Sequence, residues 1–226
     1  MNQEMASDAY LLVLDEQMVM HNSLKRGFDV LFSLIAMLLG LPLFAFIALL
    51  VKLSSSGPIF YCSLRIGRKG RLFKFWKFRT MHRDADQRLE VMLNSDPALK
   101  REWKKYFKLR NDPRLTKIGH FLRKTSLDEL PQFWNVLIGD LSIVGPRPYL
   151  PREAETIRAV LKQDMEKMFS VRPGLTGIWQ TSGRSHLTFK ERVLLEVSYA
   201  EQRSFFFDLK LIAKTLPILF FQKGAF

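Results

Sequence analysis

The stretch VLFSLIAMLLGLPLFAFIALLV, residues 30–51, constrains the fold more than any other part of the chain. It has no charged side chain over about 22 residues, long enough to cross the roughly 30 Å hydrocarbon layer of a membrane as a helix. The residues before it are acidic and no small-residue cleavage site follows, so a secretory signal is not indicated. We therefore expect a membrane segment over residues 25–53, after an N-terminal tail over residues 1–24.

Residues within and beside this run bear on its topology. Pro42 removes a helical hydrogen bond and Gly40 lies close before it, so we expect a bend at Pro42. Lys25 and Arg26 flank one end and Lys52 flanks the other, as expected if both ends are cytoplasmic. This pattern favours a re-entrant hairpin. A spanning helix with its N-terminus outside remains an alternative, because every Lys and Arg lies from Lys25 onward.

The composition limits the class of protein. The 226 residues suffice for one compact domain with a membrane element. A hydrophobic fraction of 47% with a net charge of +13 fits neither a disordered tail nor an ordinary soluble protein. The charge requires an anionic partner, which is a phosphorylated substrate, an anionic leaflet or nucleic acid. Cys62 is the only cysteine, so no internal disulfide forms and a reducing cytoplasm is indicated.

The rest of the chain, residues 54–226, reads as one compact domain. Aromatic segments predict strands at 59–61 and 72–78, separated by a turn at 67–70. Helical apolar spacing predicts helices around residues 84–93, 97–109, 129–137, 151–169 and 189–202. We expect an α+β fold, mostly helical, in which a re-entrant membrane helix hairpin precedes a compact cytoplasmic domain with a small sheet.

The C-terminal segment alternates aromatic and aliphatic residues with lysines. From Phe205 to Phe221 this pattern resembles an amphipathic helix at the membrane interface, bent at Pro217. A helix packed on its own domain is an equally open interpretation.

The stretch LRKTSLDELPQ, residues 122–132, carries the candidate chemistry. Ser126 and Glu129 have the spacing of a helix capping box, which is the structural interpretation. Pro131 instead favours a helix start at 127 or 128, which puts Asp128 at an anion-binding helix N-terminus just after Arg123. A carboxylate pair among phosphate-binding groups suggests phosphoryl transfer, because Asp can attack phosphorus. Mg²⁺ at Asp128 would offset the charge repulsion.

A basic strip interleaved with aromatic residues covers residues 65–79. Such a strip can bind nucleic acid, but it follows the membrane segment closely, so anionic lipid explains it and we expect no nucleic-acid partner. Lys77 and Arg79, near its end, are candidates to bind substrate phosphates.

Four ordered motifs resemble those of a known family. They are KFRTM at 77–81, SLDELPQ at 126–132, LSIVGPRP at 141–148 and RPGLTGIWQTSGR at 172–184. With the basic-flanked, proline-containing apolar segment, they resemble the bacterial sugar transferases, the small monotopic polyprenyl-phosphate phosphoglycosyl transferases. The resemblance extends from about Lys25 to the C-terminus.

This resemblance implies a reaction and a set of roles. Asp128 would attack the phosphorus that bears the sugar in a UDP-sugar and expel UMP, and undecaprenyl phosphate would then take the phosphosugar. Glu129 would assist metal binding or proton handling, with Mg²⁺ as cofactor. Arg123 and Arg147 match phosphate-binding residues, and Pro146 and Pro148 would hold Arg147 in a rigid turn.

The last motif bears on the sugar and the nucleotide. It supplies a candidate nucleotide-sugar loop whose members are Arg172, Gly174, Gly177, Gln180 and Arg184. It resembles members that transfer hexose 1-phosphate, glucose or galactose, in the first membrane step of exopolysaccharide or capsule assembly. The implied location is the bacterial inner membrane, with the catalytic domain in the cytoplasm against inner-leaflet lipids. The short front end predicts a minimal catalytic unit.

A non-catalytic alternative remains, a membrane-bound basic scaffold that binds nucleic acid or anionic lipid. Asp128 separates the two hypotheses, because a scaffold does not need this carboxylate.

Overall fold

The chain folds as helices around two small sheets. A computed structural model describes residues 2–106, 109, 112–183 and 187–221. The helices are α1 (Asn2–Ser54), α2 (Ala85–Ser95), α3 (Pro97–Tyr106), α4 (Lys117–Thr125), α5 (Gln132–Ile138), α6 (Ala154–Leu161), α7 (Met165–Phe169), α8 (Ile178–Thr181), α9 (Phe189–Gln202) and α10 (Phe205–Phe221). The strands are β1 (Phe60–Ile66), β2 (Leu72–Phe78), β3 (Ser142–Val144) and β4 (Gly174–Thr176). The predicted class, mostly helical α+β with small sheets, is confirmed.

Each sheet has two strands. β1 and β2 form an antiparallel hairpin in which Phe60 lies opposite Phe78, and a 3-10 turn over Arg68–Gly70 connects them. The turn includes Lys69 at φ 57° and Gly70 at φ 75°. β2 has the predicted bounds, whereas β1 extends beyond 59–61. β3 and β4 pair in parallel and were not predicted.

The helices agree with the predicted pattern with four differences, one of which is that the short α8 was not predicted. The predicted helix at 151–169 is divided into α6 and α7 at Lys162, whose φ is 50°. Helix α4 was not predicted. Helix α5 begins at Gln132, after Pro131, so Asp128 lies in a preceding 3-10 turn rather than in the first turn of α5.

Helix α1 is a single helix that includes Pro42 and also covers the predicted tail. Within the described residues, Asn22–Ser54 is the one helical segment long and apolar enough to cross a membrane. Large apolar side chains are exposed along it, among them Leu31, Leu34, Leu38, Leu39, Phe46 and Leu53. The protein therefore presents one long apolar N-terminal helix whose exposed surface suits lipid contact.

The first part of this helix is attached to the domain by polar contacts. Lys25 pairs with Asp208 of α10. Arg26 donates to two carbonyls in the last turn of α5 at 2.6 and 2.7 Å. The buried Asp29 carboxylate accepts from the backbone N–H of Ile143 in β3 at 3.0 Å. The two cations that flank the apolar run at this end are thus bound to the protein itself.

The last part of α1 is attached at a second place. Ile47 and Val51 are buried in a cluster with residues of β2 and α4. Arg79, which follows β2, donates to the carbonyls of Val51, Ser55 and Ser56 at 3.1, 2.6 and 3.1 Å. One guanidinium therefore caps the C-terminal end of the apolar helix.

Helix α10 has one buried and one exposed face. Asp208 and Leu211 are buried against the domain, whereas Phe206 and Leu216 are exposed. The helix therefore packs on its own domain, and its predicted position at the membrane interface stays a prediction.

Candidate active site

The Asp128–Glu129 pair lies in the connection between α4 and α5. Ser126 ends α4 in the left-handed conformation, with φ 59°, and the 3-10 turn Leu127–Glu129 follows. This turn directs the two neighbouring side chains into different environments. Asp128 is 5% exposed, whereas the side chain of Glu129 is 44% exposed.

Lys77 brings a positive charge to both carboxylates. Its Nζ lies 2.6 Å from Oε1 of Glu129 and 3.4 Å from Oδ2 of Asp128. The alternation of β2 explains this position, because Phe73, Phe75 and Lys77 share one face of the strand. Phe73 and Phe75 are buried in the main core, and Lys77 continues that face towards the carboxylate pair. Lys77 thus contacts the carboxylate pair directly. Its predicted binding of substrate phosphate stays a prediction.

The two carboxyl groups differ in their acid–base properties. Burial raises the pKa of Asp128 above its ordinary value, against the opposing charges of Lys77 and Arg123. Burial also acts to raise the pKa of Glu129, but the charge and hydrogen bond from Lys77, with the charge of Arg147, lower it overall. Glu129 therefore stays ionised at lower pH than Asp128. Two neighbouring carboxyl groups whose pKa values are shifted in opposite directions can serve one as nucleophile and the other as electrostatic partner.

Arg123 reaches the site from the last turn of α4. Its Nε donates to Oγ1 of Thr80 at 3.0 Å. Helix α4 packs tightly here, since a Cβ on Gly119 would lie 1.8 Å from the carbonyl oxygen of Thr80. The backbone N–H of Thr116 donates to the same carbonyl at 3.0 Å. The segment after β2 therefore fixes α4, and with it Arg123, beside Asp128.

Asn135 is a structural element of the site that sequence reasoning missed. This fully buried side chain donates from Nδ2 to the carbonyl of Lys74 at 2.7 Å and accepts from the N–H of Trp76 at 3.2 Å. It thus pairs α5 with the backbone of β2, the strand that carries Lys77. Its position one helical turn after Pro131 was the available signal, because a polar side chain on the buried face of a helix requires a partner.

Arg147 lies in the turn after β3, and Trp179 lies in α8 after β4. Because β3 and β4 are parallel, the segments after them meet at one edge of the sheet. The Arg147 guanidinium carbon lies 5.1 Å from the centroid of the Trp179 ring. The charge of Arg147 also acts on Glu129. Arg147 therefore belongs, with Lys77 and Arg123, to the positive charges that act on the carboxylate pair.

The predicted nucleotide-sugar loop is divided between several places. Arg172 donates to the carbonyl of Gly139 at 2.9 Å and lies beside charged residues of α1 and of the β1–β2 turn. A Cβ on Gly174 or Gly177 would lie 2.1 or 2.3 Å from backbone atoms of Gly145, so both glycines permit close approach of two backbone segments. Their contact with a nucleotide sugar stays a prediction.

The remaining predicted residues have other surroundings. Gln180 donates to the carbonyl of Leu175 at 3.3 Å, and its buried Oε1 has no hydrogen-bond partner within the described chain. Arg184 lies outside the described residues. Arg79 uses its two terminal nitrogens on the end of α1, so its predicted contact with substrate phosphate stays a prediction.

Comparison with known proteins identifies the family. A family model described as bacterial sugar transferase matches residues 20–222. The exopolysaccharide production protein ExoY of Rhizobium meliloti (strain 1021) is 44% identical over 204 residues, which cover 89% of this chain and 88% of that protein.

Two longer proteins are also similar. The UDP-galactose-lipid carrier transferase of Erwinia amylovora is 40% identical over 221 residues, 97% of this chain and 45% of that protein. The UDP-glucose:undecaprenyl-phosphate glucose-1-phosphate transferase of Escherichia coli (strain K12) is 39% identical over 208 residues, 90% of this chain and 41% of that protein. The chain spans less than half the length of these two relatives. Since the family model matches most of its residues, the chain belongs to the bacterial sugar transferase family.

Proposed function

We propose that this chain transfers a hexose 1-phosphate, glucose or galactose, from a UDP-sugar to undecaprenyl phosphate and releases UMP. This would be the first membrane step of exopolysaccharide or capsule assembly. The observation that carries the proposal is the family match over a domain in which a buried Asp128 pairs with Lys77. The charge of Arg123 also acts on Asp128, and that of Arg147 acts on its neighbour Glu129. The names of similar proteins, which mention galactose, glucose and exopolysaccharide, support the hexose and the pathway class.

The proposed reaction has two displacements at one phosphorus. A carboxylate oxygen of Asp128 forms a bond to the phosphorus that carries the sugar, and the bond from that phosphorus to the bridging oxygen breaks, so UMP leaves with the electron pair. An oxygen of undecaprenyl phosphate then attacks the same phosphorus, and the Asp128 carboxylate leaves. The product is the lipid diphosphate sugar. The first step needs an unprotonated Asp128 that can attack. The second step needs a carboxylate that is stable as a leaving group.

The surrounding groups have roles that follow from their chemistry. The Lys77 ammonium holds Asp128 and Glu129 together and offsets their repulsion. Arg123 and Arg147 would bind the phosphate oxygens, because a guanidinium presents a fixed set of donors. Glu129, with its lowered pKa, would remain a carboxylate through the cycle.

Mg²⁺ is the proposed cofactor. No group of three or more metal-binding side chains occurs in the part of the chain that the structure describes. Two adjacent carboxylates nevertheless fit this ion, which proteins often hold through one or two carboxylates together with substrate phosphates. Asp128 and Glu129 would hold it. When bound, Mg²⁺ would neutralise charge on the diphosphate and so favour departure of UMP.

The test is UMP release by the purified protein with different nucleotide sugars. We expect turnover with UDP-glucose or UDP-galactose when undecaprenyl phosphate and Mg²⁺ are present, and loss of turnover on chelation of the metal. A clear preference for N-acetylated amino sugars would overturn the proposed hexose. Absence of UMP release with every sugar tested, in protein that binds anionic lipid, would support the scaffold hypothesis instead.

The apolar part of α1 is proposed to be re-entrant, entering and leaving on the cytoplasmic side. A straight helix normal to the membrane would put Asp29 and Val51 roughly 30 Å apart on opposite faces, at 1.5 Å per residue. Both residues contact the same domain, Asp29 through β3 and Val51 through Arg79. A charged domain cannot reach both faces without entering the hydrocarbon. These two attachments support a segment bent at Pro42, with the domain on the inner leaflet of the bacterial inner membrane.

Cysteine labelling tests this topology. We expect that cysteines placed at Asn2 and at the exposed Lys100, in a Cys62→Ser background, are both protected from an impermeant reagent in intact cells. Both cysteines should react with the reagent once the membrane is permeabilised. Pro42→Leu, which restores a helical N–H, should move part of the population to a spanning state in which only the Asn2 site labels from outside. Labelling of the Asn2 site in the chain that retains Pro42 would show that the segment spans.

A further inference from the structure

Two arginines, Arg147 and Arg192, stack on one tryptophan, Trp179. The guanidinium carbon of Arg147 lies 5.1 Å from the centroid of the Trp179 ring, and that of Arg192, from α9, lies 4.9 Å from it. Stacking on an aromatic face holds a guanidinium without using its N–H donors, which stay free in the plane of the group. Trp179 thus presents two fixed sets of donors side by side.

The charges of Glu153 and Glu196 act on Arg192, but among the residues that the structure describes neither carboxyl group forms an ion pair with it. Within the described chain neither guanidinium takes part in a hydrogen bond or an ion pair, and the buried Nε of each has no partner. Burial lowers the pKa of Arg192, and the charge of Arg147 lowers it further, so the two cations repel each other. Two cations held together under repulsion, with free donors, form a site for a multivalent anion.

Glu196, a carboxyl group that faces both arginines, does not neutralise the pair. It is fully buried. Burial raises its pKa to about 8, against the backbone N–H of Arg147 and the charges of Arg147 and Arg192. At neutral pH this group is therefore mostly protonated, and the positive charge of both arginines remains available to a ligand.

We propose that Arg192, held on Trp179 beside Arg147, binds the phosphate that departs with the nucleoside, so that these residues form the nucleoside monophosphate site. The inference rests on the proposed function. The charge of Arg147 acts on Glu129, so Arg147 suits the phosphate under attack. Arg192 shares the Trp179 ring with Arg147. Arg192 therefore suits the second phosphate of the diphosphate.

The position of the site favours a nucleotide over the lipid phosphate. Helix α1 packs chiefly against α5, α4, β3 and α10, whereas α9, which carries Arg192, packs chiefly against α6, α7 and α8. Helix α8, which carries Trp179, packs against both α9 and α10. Arg192 thus lies on an element whose main contacts are not with the apolar helix. A water-soluble nucleotide can reach this side of the domain, but the phosphate of a membrane lipid arrives from the side of α1.

Measuring the two half-reactions separately distinguishes binding of the nucleotide phosphate from binding of the lipid phosphate. We expect Arg192→Gln to raise the KM for UDP-glucose or UDP-galactose, and to weaken inhibition by UMP, each by about 10- to 100-fold, the effect of losing a charge-assisted hydrogen bond. Transfer from the preformed phosphosugar-enzyme to undecaprenyl phosphate should keep its normal rate, because the nucleotide has already left. Arg158→Gln, which removes an exposed charge paired with Glu155 on α6, is the matched control.

Variants at Trp179 test the stacking. Trp179→Phe retains an aromatic face and should change the KM for the UDP-sugar by only a few-fold, whereas Trp179→Leu should reproduce the Arg192→Gln effect. A titration of the unmodified protein with UMP, followed by tryptophan fluorescence, should give a signal that Trp179→Phe reduces. This measurement does not depend on the folding of the Arg192 variant.

The outcomes are distinct. An unchanged KM and unchanged UMP inhibition in Arg192→Gln would overturn the inference while leaving the transferase intact. A defect confined to the second half-reaction would assign Arg192 to the lipid phosphate and would also overturn it. If the unmodified protein formed neither UMP nor a phosphosugar adduct, the proposed function itself would fail.

Discussion

Replacing Asp128 with asparagine is expected to reduce sugar-phosphate transfer by at least about 10³-fold, because the amide keeps the shape of the side chain but is not a nucleophile. The unmodified enzyme, given UDP-sugar and Mg²⁺ without a lipid acceptor, should accumulate a phosphosugar on Asp128. Intact-protein mass spectrometry should detect this adduct in the unmodified enzyme and not in Asp128→Asn.

Asp84→Asn provides the control for this substitution. Asp84 is half-exposed and pairs with Arg88 on the surface, so the same chemical change there should leave transfer unaltered. Thermal unfolding and membrane attachment should be retained in both variants. Near-normal turnover by Asp128→Asn would exclude the covalent mechanism.

Replacing Lys77 with methionine is expected to lower transfer by about 10- to 100-fold, since a charge-assisted hydrogen bond to the carboxylate pair is lost. The pH profile should change as well. Activity requires ionised Asp128, and burial already raises the pKa of this group, so activity is lost as the pH falls through that raised value. Lys77 acts to lower the same pKa. Its removal raises the pKa further, and the acidic limb of the profile should move to higher pH.

Lys74→Met is the matched control on the same strand. Lys74 lies on the opposite face of β2 and is exposed, so its removal changes the net charge equally without touching the carboxylate pair. We expect its pH profile to match that of the unmodified enzyme. If Lys77→Met lowers the maximal activity but leaves the acidic limb of the pH profile at the same pH, Lys77 does not set the pKa of Asp128.

Local sequence patterns predicted much of the fold, because some elements have a period long enough to recognise. β2 and α9 have the bounds that alternation and helical spacing indicated. The three-residue strands β3 and β4 are too short to show a period, and their pairing joins segments about 30 residues apart. Helix α6 ends early because Lys162 adopts a positive φ, which side-chain spacing does not reveal.

The sequence also predicted the carboxylate pair, but the partners of each charge were uncertain. Lys77 and Arg79 are two residues apart and both basic, and from the sequence both were candidates for phosphate. In the structure Lys77 binds the carboxylate pair, while Arg79 caps the end of α1. Neither Arg192 nor Glu196 was predicted to be a site residue, because nothing near them in the chain shows that they approach Arg147.

The apolar segment, the family motifs and the candidate nucleophile could be recognised from the order of the amino acids alone, because each depends on residues that are consecutive or closely spaced. Three features became visible only in the folded chain. Helix α1 is attached to the domain near both Asp29 and Val51. Burial raises the pKa of Asp128, whereas Lys77 and Arg147 lower that of Glu129. Trp179 joins Arg147 to Arg192. The physical reason is that desolvation and charge coupling depend on distance in space. Residues far apart in the chain set those distances when the strands pair and the helices pack.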